Sequence, residues 1–405
     1  MKRAILDPLR FQKGTNPRQV GRLSCCHSLI TTIRRASLFL VAKSFLVLVM
    51  LGLLASSAAL AAESSQTWEQ VLAAARKEGK VSVIGPQGTE TRDALSLAFQ
   101  KKYPDIKVEL QSMSGSQVGP RLIAELAAGR NSTDVLVLGT TTVLEALLPA
   151  KAVVPVKPWL SGPNTQDPSK WRGGKLTFSD EAQSYNLVFS QYVKAPFIYN
   201  SQLVSAADFK SYKDLLDPKW QGKIALRDPT IAGGSMGTAT LWYIHADLGK
   251  DFMRKLFALK DLAIPRDDRQ ILDFCARGKY TIAIGPSDVL TNQFIERGLP
   301  LRHLKPETLK EGSYITTGNG SMAIPRSAPH PNALRVYADF LLSPEGQLAW
   351  SKAAGFASLR RDVSKDHVLD VLVPKEGTPY VDLSAEKYIS SRVEVVEFMK
   401  TIMPR

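Results

Sequence analysis

Ser211-Tyr212-Lys213-Asp214-Leu215-Leu216-Asp217-Pro218-Lys219-Trp220-Gln221-Gly222-Lys223-Ile224-Ala225-Leu226-Arg227-Asp228-Pro229-Thr230 is the most informative run in this 405-residue chain. A short helical turn ends at Asp217-Pro218, a Trp-Gln-Gly turn follows, and Lys223 to Leu226 form a strand that stops at Asp228-Pro229. A strand running out into a polar turn is where α/β proteins hold ligands.

Outward from this stretch, strands and helices alternate. Val81–Ile84, Ile106–Leu110 and Asp134–Leu138 read as buried strands. Each leads through a Gly/Ser/Thr loop towards a helix, a pattern that predicts an α/β architecture with parallel strands. Residues 157–182 are rich in Pro, Gly and polar residues and read as an excursion between lobes. Val193–Tyr199 reads as one crossover and Tyr314–Ile324 contains a second. A helix is expected from Met236 to Leu248, capped by Gly249, and helices begin at Pro331 and Ser343. Two crossings imply two lobes, a cleft and a two-strand hinge. The expected divisions are a leader at 1–62, the first lobe at 63–192, the second at 193–318, and a hinge return at 319–405 with C-terminal helices packing mainly on the first lobe.

The 211–230 run resembles the ferric-ion-type extracellular solute-binding proteins, the capture subunits of ABC importers. Ser321-Met322-Ala323-Ile324-Pro325, Pro329-His330-Pro331-Asn332-Ala333 and Phe340 to Gln347 resemble the same family's closing block. The resemblance implies a two-lobe periplasmic-binding-protein-like (type II) α/β fold with two hinge crossovers and a small-molecule solute in the cleft. It also implies permease and ATPase subunits at the inner membrane as partners. A monomer is expected, with no cofactor, metal site or catalytic residue.

Ser44–Ala62 is continuously apolar or small and closes on Ala59-Leu60-Ala61, the pattern of a secretory signal cleaved near Ala61 or Ala62. Arg34-Arg35 suggests a twin-arginine export route, although Ser37 stands where a bulky apolar residue is expected. Residues 1–62 carry nine Lys/Arg and one acid, so the formal charge of +14 falls to +6 without them. That mild balance, with no basic block or aromatic stripe, gives no support for nucleic-acid binding. Cys275 is then the sole cysteine of the exported chain, and no cysteine follows the apolar segment to take a lipid. A periplasmic setting is expected.

Helix N-termini leave N–H groups unpaired and carry partial positive charge, so a Gly/Ser/Thr loop entering a helix receives oxyanions. The first lobe offers Gly88-Thr89, Gly115-Ser116 and Thr140-Thr141 for this role. The second offers Gly234-Ser235 and Ser287-Asp288. Ser and Thr at such places also serve as ordinary N-caps. Arg227 follows the decisive strand, Asp288 could take a cationic group, and Asn319 lies between two glycines near the hinge.

Two other chemistries find less support in these residues. Ferric-ion binders of the family use an adjacent tyrosine pair after the strand that here reads Thr281–Ile284, whereas this chain has Pro286-Ser287-Asp288-Val289-Leu290. Phosphorylated, phosphonate or carboxylate solutes suit the loops better than ferric iron, which stays as the alternative. Gly233-Gly234-Ser235-Met236-Gly237 matches the G-x-S-x-G elbow of serine hydrolases, but the preceding strand ends too early and no histidine has triad context.

Overall fold

Helix α1 (Trp68–Glu78) opens the computed structural model, which describes residues 66–231, 233–375 and 377–403. The expectations for the leader lie outside these residues. Thr67 and Gln70 cap α1 reciprocally: Thr67 Oγ1 accepts from the Gln70 N–H at 3.3 Å and Gln70 Oε1 from the Thr67 N–H at 2.9 Å. Such a cap is worth about 1 kcal/mol.

Strands β1 (Lys80–Gly85), β2 (Lys107–Ser112) and β3 (Val135–Leu138) alternate with helices α2 (Thr89–Lys102) and α3 (Gly115–Ala127). β1 pairs in parallel with both β2 and β3. After β3 the chain makes only a turn, Thr140–Thr142, continued by a wider π-type coil, Val143–Leu147, rather than a third regular helix. β4 (Val153–Val154), β5 (Thr177–Phe178) and β6 (Leu187–Val188) finish this pass through the first lobe.

The chain leaves by β7 (Ser190–Val193) and builds a second sheet from β8 (Ile198–Asn200), β9 (Ile224–Leu226), β10 (Ile282–Ile284) and β11 (Leu301–His303). Their order is β11-β8-β10-β9. The expected single crossover strand at Val193–Tyr199 is therefore two strands in different sheets, divided at Lys194–Phe197. Around this sheet lie α4 (Gly234–Ile244), α5 (Gly249–Phe257), α6 (Asp268–Ala276) and α7 (Asp288–Glu296). Gly249, expected as a C-cap, instead starts α5 at φ 58°; α4 stops earlier, at His245, whose N–H donates to the Leu241 carbonyl.

The return runs through β12 (Tyr314–Thr316), antiparallel to β7, into β13 (Ser321–Pro325), which pairs with β3 and β6. The first sheet thus reads β2-β1-β3-β13-β6-β5. Helices α8 (Pro331–Leu341) and α9 (Pro344–Ala354) pack on α1 and α2.

Burial explains the uninterrupted apolar strands. Val135 and Val137 enter one core while Leu136 and Leu138 enter another on the opposite face. In the second lobe Ile282 and Ile284 face one core and Ala283 the other. Sheets covered on both faces need apolar residues at every position.

The tail departs from expectation. β14 (Ala357–Ser358) joins β7 and β15 (Val381–Asp382) joins β12, making a four-stranded hinge sheet. The last helix, α10 (Ile389–Ile402), then packs on α4 of the second lobe, where Val395 and Met399 are fully buried. Arg392 of α10 also reaches Glu145 beyond β3, at 3.2 Å.

Candidate functional site

Strand directions bring the candidate loops together. β1, β2 and β3 run parallel, so their carboxyl ends share one edge, and antiparallel β13 begins there because Ser321 pairs with Leu138. β9 and β10 also run parallel, and β8 enters beside their carboxyl ends. β7 and β12 join these two edges, which places the edge loops of both lobes on the hinge side, where open α/β sheets bind ligands.

On the first lobe's edge, α2 starts at Thr89, with Gly88 as its N-cap at φ 128° and no side chain accepting from its first turn. Thr89 is exposed. Helix α3 is served by Ser114 and Gln117, whose Oε1 accepts from the Ser114 N–H at 3.1 Å, and the exposed Ser116 hydroxyl lies 3.0 Å from that of Ser114. Gly115 presses against the next loop: a Cβ there would stand 2.1 Å from Thr142 Oγ1. Thr140 is buried and Thr141 half-buried. A Cβ on Gly139 would stand 3.0 Å from the Gly318 carbonyl and 3.5 Å from Asn319 Oδ1, so Asn319, itself exposed, adjoins the third loop.

On the second lobe's edge, the Arg227 N–H donates to the Ile284 carbonyl at 3.0 Å and its guanidinium pairs with Asp268 at 3.0 Å. Burial raises the Asp268 carboxyl despite the opposing pull of Arg227. A Cβ on Gly233 would be 2.7 Å from Arg227 Nη1, which sets that cation against the start of α4. Gly233 is the N-cap of α4, at φ 144°, and again no side chain caps the helix. Ser235 is 2% exposed, and its hydroxyl donates to the Asp228 carbonyl at 3.2 Å. Ser235 therefore offers a ligand its backbone more readily than its hydroxyl. Ser287 caps α7, its Oγ accepting from the Leu290 N–H at 3.4 Å.

Asp288 is not a free acid of the cleft. Its side chain is 0% exposed and its Oδ2 accepts from Lys194 Nζ at 2.7 Å, while that ammonium also donates to the Pro286 carbonyl at 2.6 Å. A carboxylate buried so fully needs such a partner. Tyr192 shares the network: its ring stacks on Phe356 at 3.8 Å, and burial together with the nearby Asp288 holds its phenol well above the ordinary range. The Tyr314 hydroxyl donates to the Gly234 carbonyl at 2.9 Å. These three hinge residues, all missed from sequence, join the crossovers to the second lobe's loops. One signal was visible: Lys194 is the lone cation in the otherwise apolar passage Val193–Ile198, and a buried lysine demands a counter-charge.

His303 adds a pH dependence. Burial drives its imidazole down to about 4 from 6.5, outweighing Asp288, whose carboxylate 3.7 Å away pulls the other way. The folded protein keeps this group neutral while the unfolded chain takes up a proton below about pH 6.5, so stability falls as pH drops from there towards about 4. The expected contribution is on the order of 3 kcal/mol. Urea midpoints measured across this window should fall less steeply in His303→Gln than in the parent.

Among the described residues no histidine is hydrogen-bonded to the Ser235 hydroxyl, which donates to the Asp228 carbonyl. His330 bonds Asp134, His367 bonds Ser351 and His303 bonds Asn292, so none of these rings is paired with Ser235. Among the described residues no group of three or more His, Cys, Asp or Glu side chains could hold a metal ion.

The sequence profile of the bacterial extracellular solute-binding proteins matches residues 94–370. The chain belongs to that family. As an extracellular solute-binding protein it is the binding component of an ABC transporter, acting outside the cytoplasmic membrane. Solved structures share the two-lobe fold at low identity. Iron-bound HitA from Pseudomonas aeruginosa matches at 18% identity and TM-score 0.59, over 80% of this chain and 99% of that one. The ferric binding protein from Campylobacter jejuni matches at 18% and 0.60, again over 80% and 99%. AfuA from Actinobacillus pleuropneumoniae, with fructose-6-phosphate bound, matches at 19% and 0.57, over 80% and 99%.

Proposed function

We propose that this solute-binding protein captures a small organic anion, a phosphate ester, phosphonate or carboxylate, between its lobes and delivers it to a membrane permease. The observation that carries this reading is the pair of glycine N-caps, Gly88 and Gly233, which leave the first turns of α2 and α4 without a side-chain acceptor. Anions satisfy such N–H groups and complement the helix dipole. Arg227, whose guanidinium pairs with Asp268, stands against Gly233 on the second lobe. The remaining contacts would come from Thr89, Gly115, Ser116, Thr140, Thr141 and Asn319 on one side and Gly234, Ser235 and Ser287 on the other.

Micromolar affinity needs about −8 kcal/mol, and charge-assisted hydrogen bonds contribute about 1.5–3 kcal/mol each. A handful of oxyanion contacts therefore suffices. A phosphate-ester solute is supported by AfuA, a structure of similar fold solved with fructose-6-phosphate bound. The ferric reading fits less well because Ser287-Asp288 stands in the loop after β10 and Asp288 is already held by Lys194. A thermal-shift panel of phosphate esters, phosphonates, carboxylates, polyamines, thiamine and ferric salts tests the reading. At about 100 Kd a ligand stabilises by about 2.7 kcal/mol, which an anion is expected to show. Stabilisation by ferric salts alone would overturn it.

A further inference from the structure

The hinge sheet has two faces, and only one belongs to the solute cleft. Ile315 pairs across the hinge with Val193, so by strand alternation Gln191, Val193 and Ile315 share one face. Tyr192 and Tyr314 point the other way, towards Asp288 and Gly234. On the Gln191 face lies a cavity of about 470 Å³ that includes none of the cleft loops. Its floor is the hinge itself, through Gln191 and Ile315, and its roof is the C-terminal passage around Tyr380.

Four cations line this cavity, Arg172, Arg361, Lys365 and Lys375, and among the described residues no carboxylate does. Two of them are already engaged: Lys375 pairs with Glu307 at 3.1 Å and Asp370 at 3.7 Å, and Arg172 donates to Gln191 Oε1. Arg361 and Lys365 are exposed and have no ion-pair partner among the described residues. Apolar surface from Ile315 and the Tyr380 ring accompanies this charge. We propose that the cavity is a second binding site, distinct from the cleft, for a small multivalent organic anion such as a polycarboxylate. An anion held there would tie the C-terminal roof to the two hinge strands.

Titration calorimetry of the purified protein with citrate at low ionic strength tests this. Arg361→Glu/Lys365→Glu is expected to weaken citrate binding at least tenfold while leaving the response to a cleft solute intact. Lys77→Glu/Lys101→Glu, which reverses two exposed charges on α1 and α2, is expected to weaken it less than twofold. Equal loss in both variants would mean diffuse attraction and overturn the proposal. No citrate binding, or citrate binding unchanged by the Arg361/Lys365 reversal, would overturn it as well. Citrate binding that survives the reversal would assign citrate to the cleft instead, whereas capture of phosphate esters and phosphonates there is read separately by the solute panel.

Discussion

Replacing Lys194 by methionine is expected to destabilise the protein by about 3–5 kcal/mol at neutral pH, the usual cost of leaving a buried charge unpaired. Asp288 is 0% exposed and Lys194 only 2% exposed, so water cannot replace the lost ammonium. The Pro286 carbonyl loses its donor at the same time. Lys194→Met/Asp288→Asn should recover most of the loss, because removing both charges removes the desolvation penalty as well as the attraction. Urea unfolding of the parent, the single variant and the double variant measures this. A single-variant loss below about 1 kcal/mol, or a double variant no better than the single, would contradict a paired buried network. Lys194 sits where the chain enters the second lobe and Asp288 begins α7, so this pair also fixes the hinge against the loops that face the solute.

Gly285→Ala is the second large effect, and it acts on the site. Gly285 has φ 81°, and a Cβ there would stand 2.5 Å from Ser235 Cα and 2.7 Å from the Ser235 N. These are backbone atoms in the first turn of α4, which cannot swing aside as a side-chain tip would. Left-handed strain of about 1–2 kcal/mol and overpacking of about 1–3 kcal/mol add to an expected loss of about 2–5 kcal/mol. The displaced turn should also cost the solute most of its stabilising effect. Gly129→Ala separates the two contributions, because Gly129 has φ 67° but nothing within 4 Å of the added methyl. Thermal melts with and without solute should show Gly129→Ala losing a little stability and no solute response, and Gly285→Ala losing both. An unchanged solute response in Gly285→Ala would remove the start of α4 from the site.

The decisive strand, the strand at Thr281–Ile284 and the burial of Asp134–Leu138 were legible because apolar runs and turn residues act locally. The loops were legible for the same reason, since Gly, Ser and Thr before a helix mark an N-terminus wherever it folds. Which hydroxyls remain available was not legible. Ser235 and Ser287 look alike in sequence, yet one bonds the Asp228 carbonyl and the other caps α7. Asp288 read as a ligand group because its partner, Lys194, lies 94 residues earlier. The route of the tail was hidden too, because β14 and β15 are two residues each and take their place from β7 and β12 rather than from their own propensity. The candidate residues thus came from local chemistry, and their roles from contacts only the fold supplies.

Capture between two hinged halves is tested most directly by small-angle scattering of the purified protein with and without whichever solute of the panel raises its melting temperature. The expected result is a smaller radius of gyration and shorter maximum dimension on saturation with an organic anion, since only a ligand with higher affinity for the closed form drives closure. A saturating, stabilising anion that leaves the scattering profile unchanged, or compaction produced by ferric salts and by no anion, would contradict it.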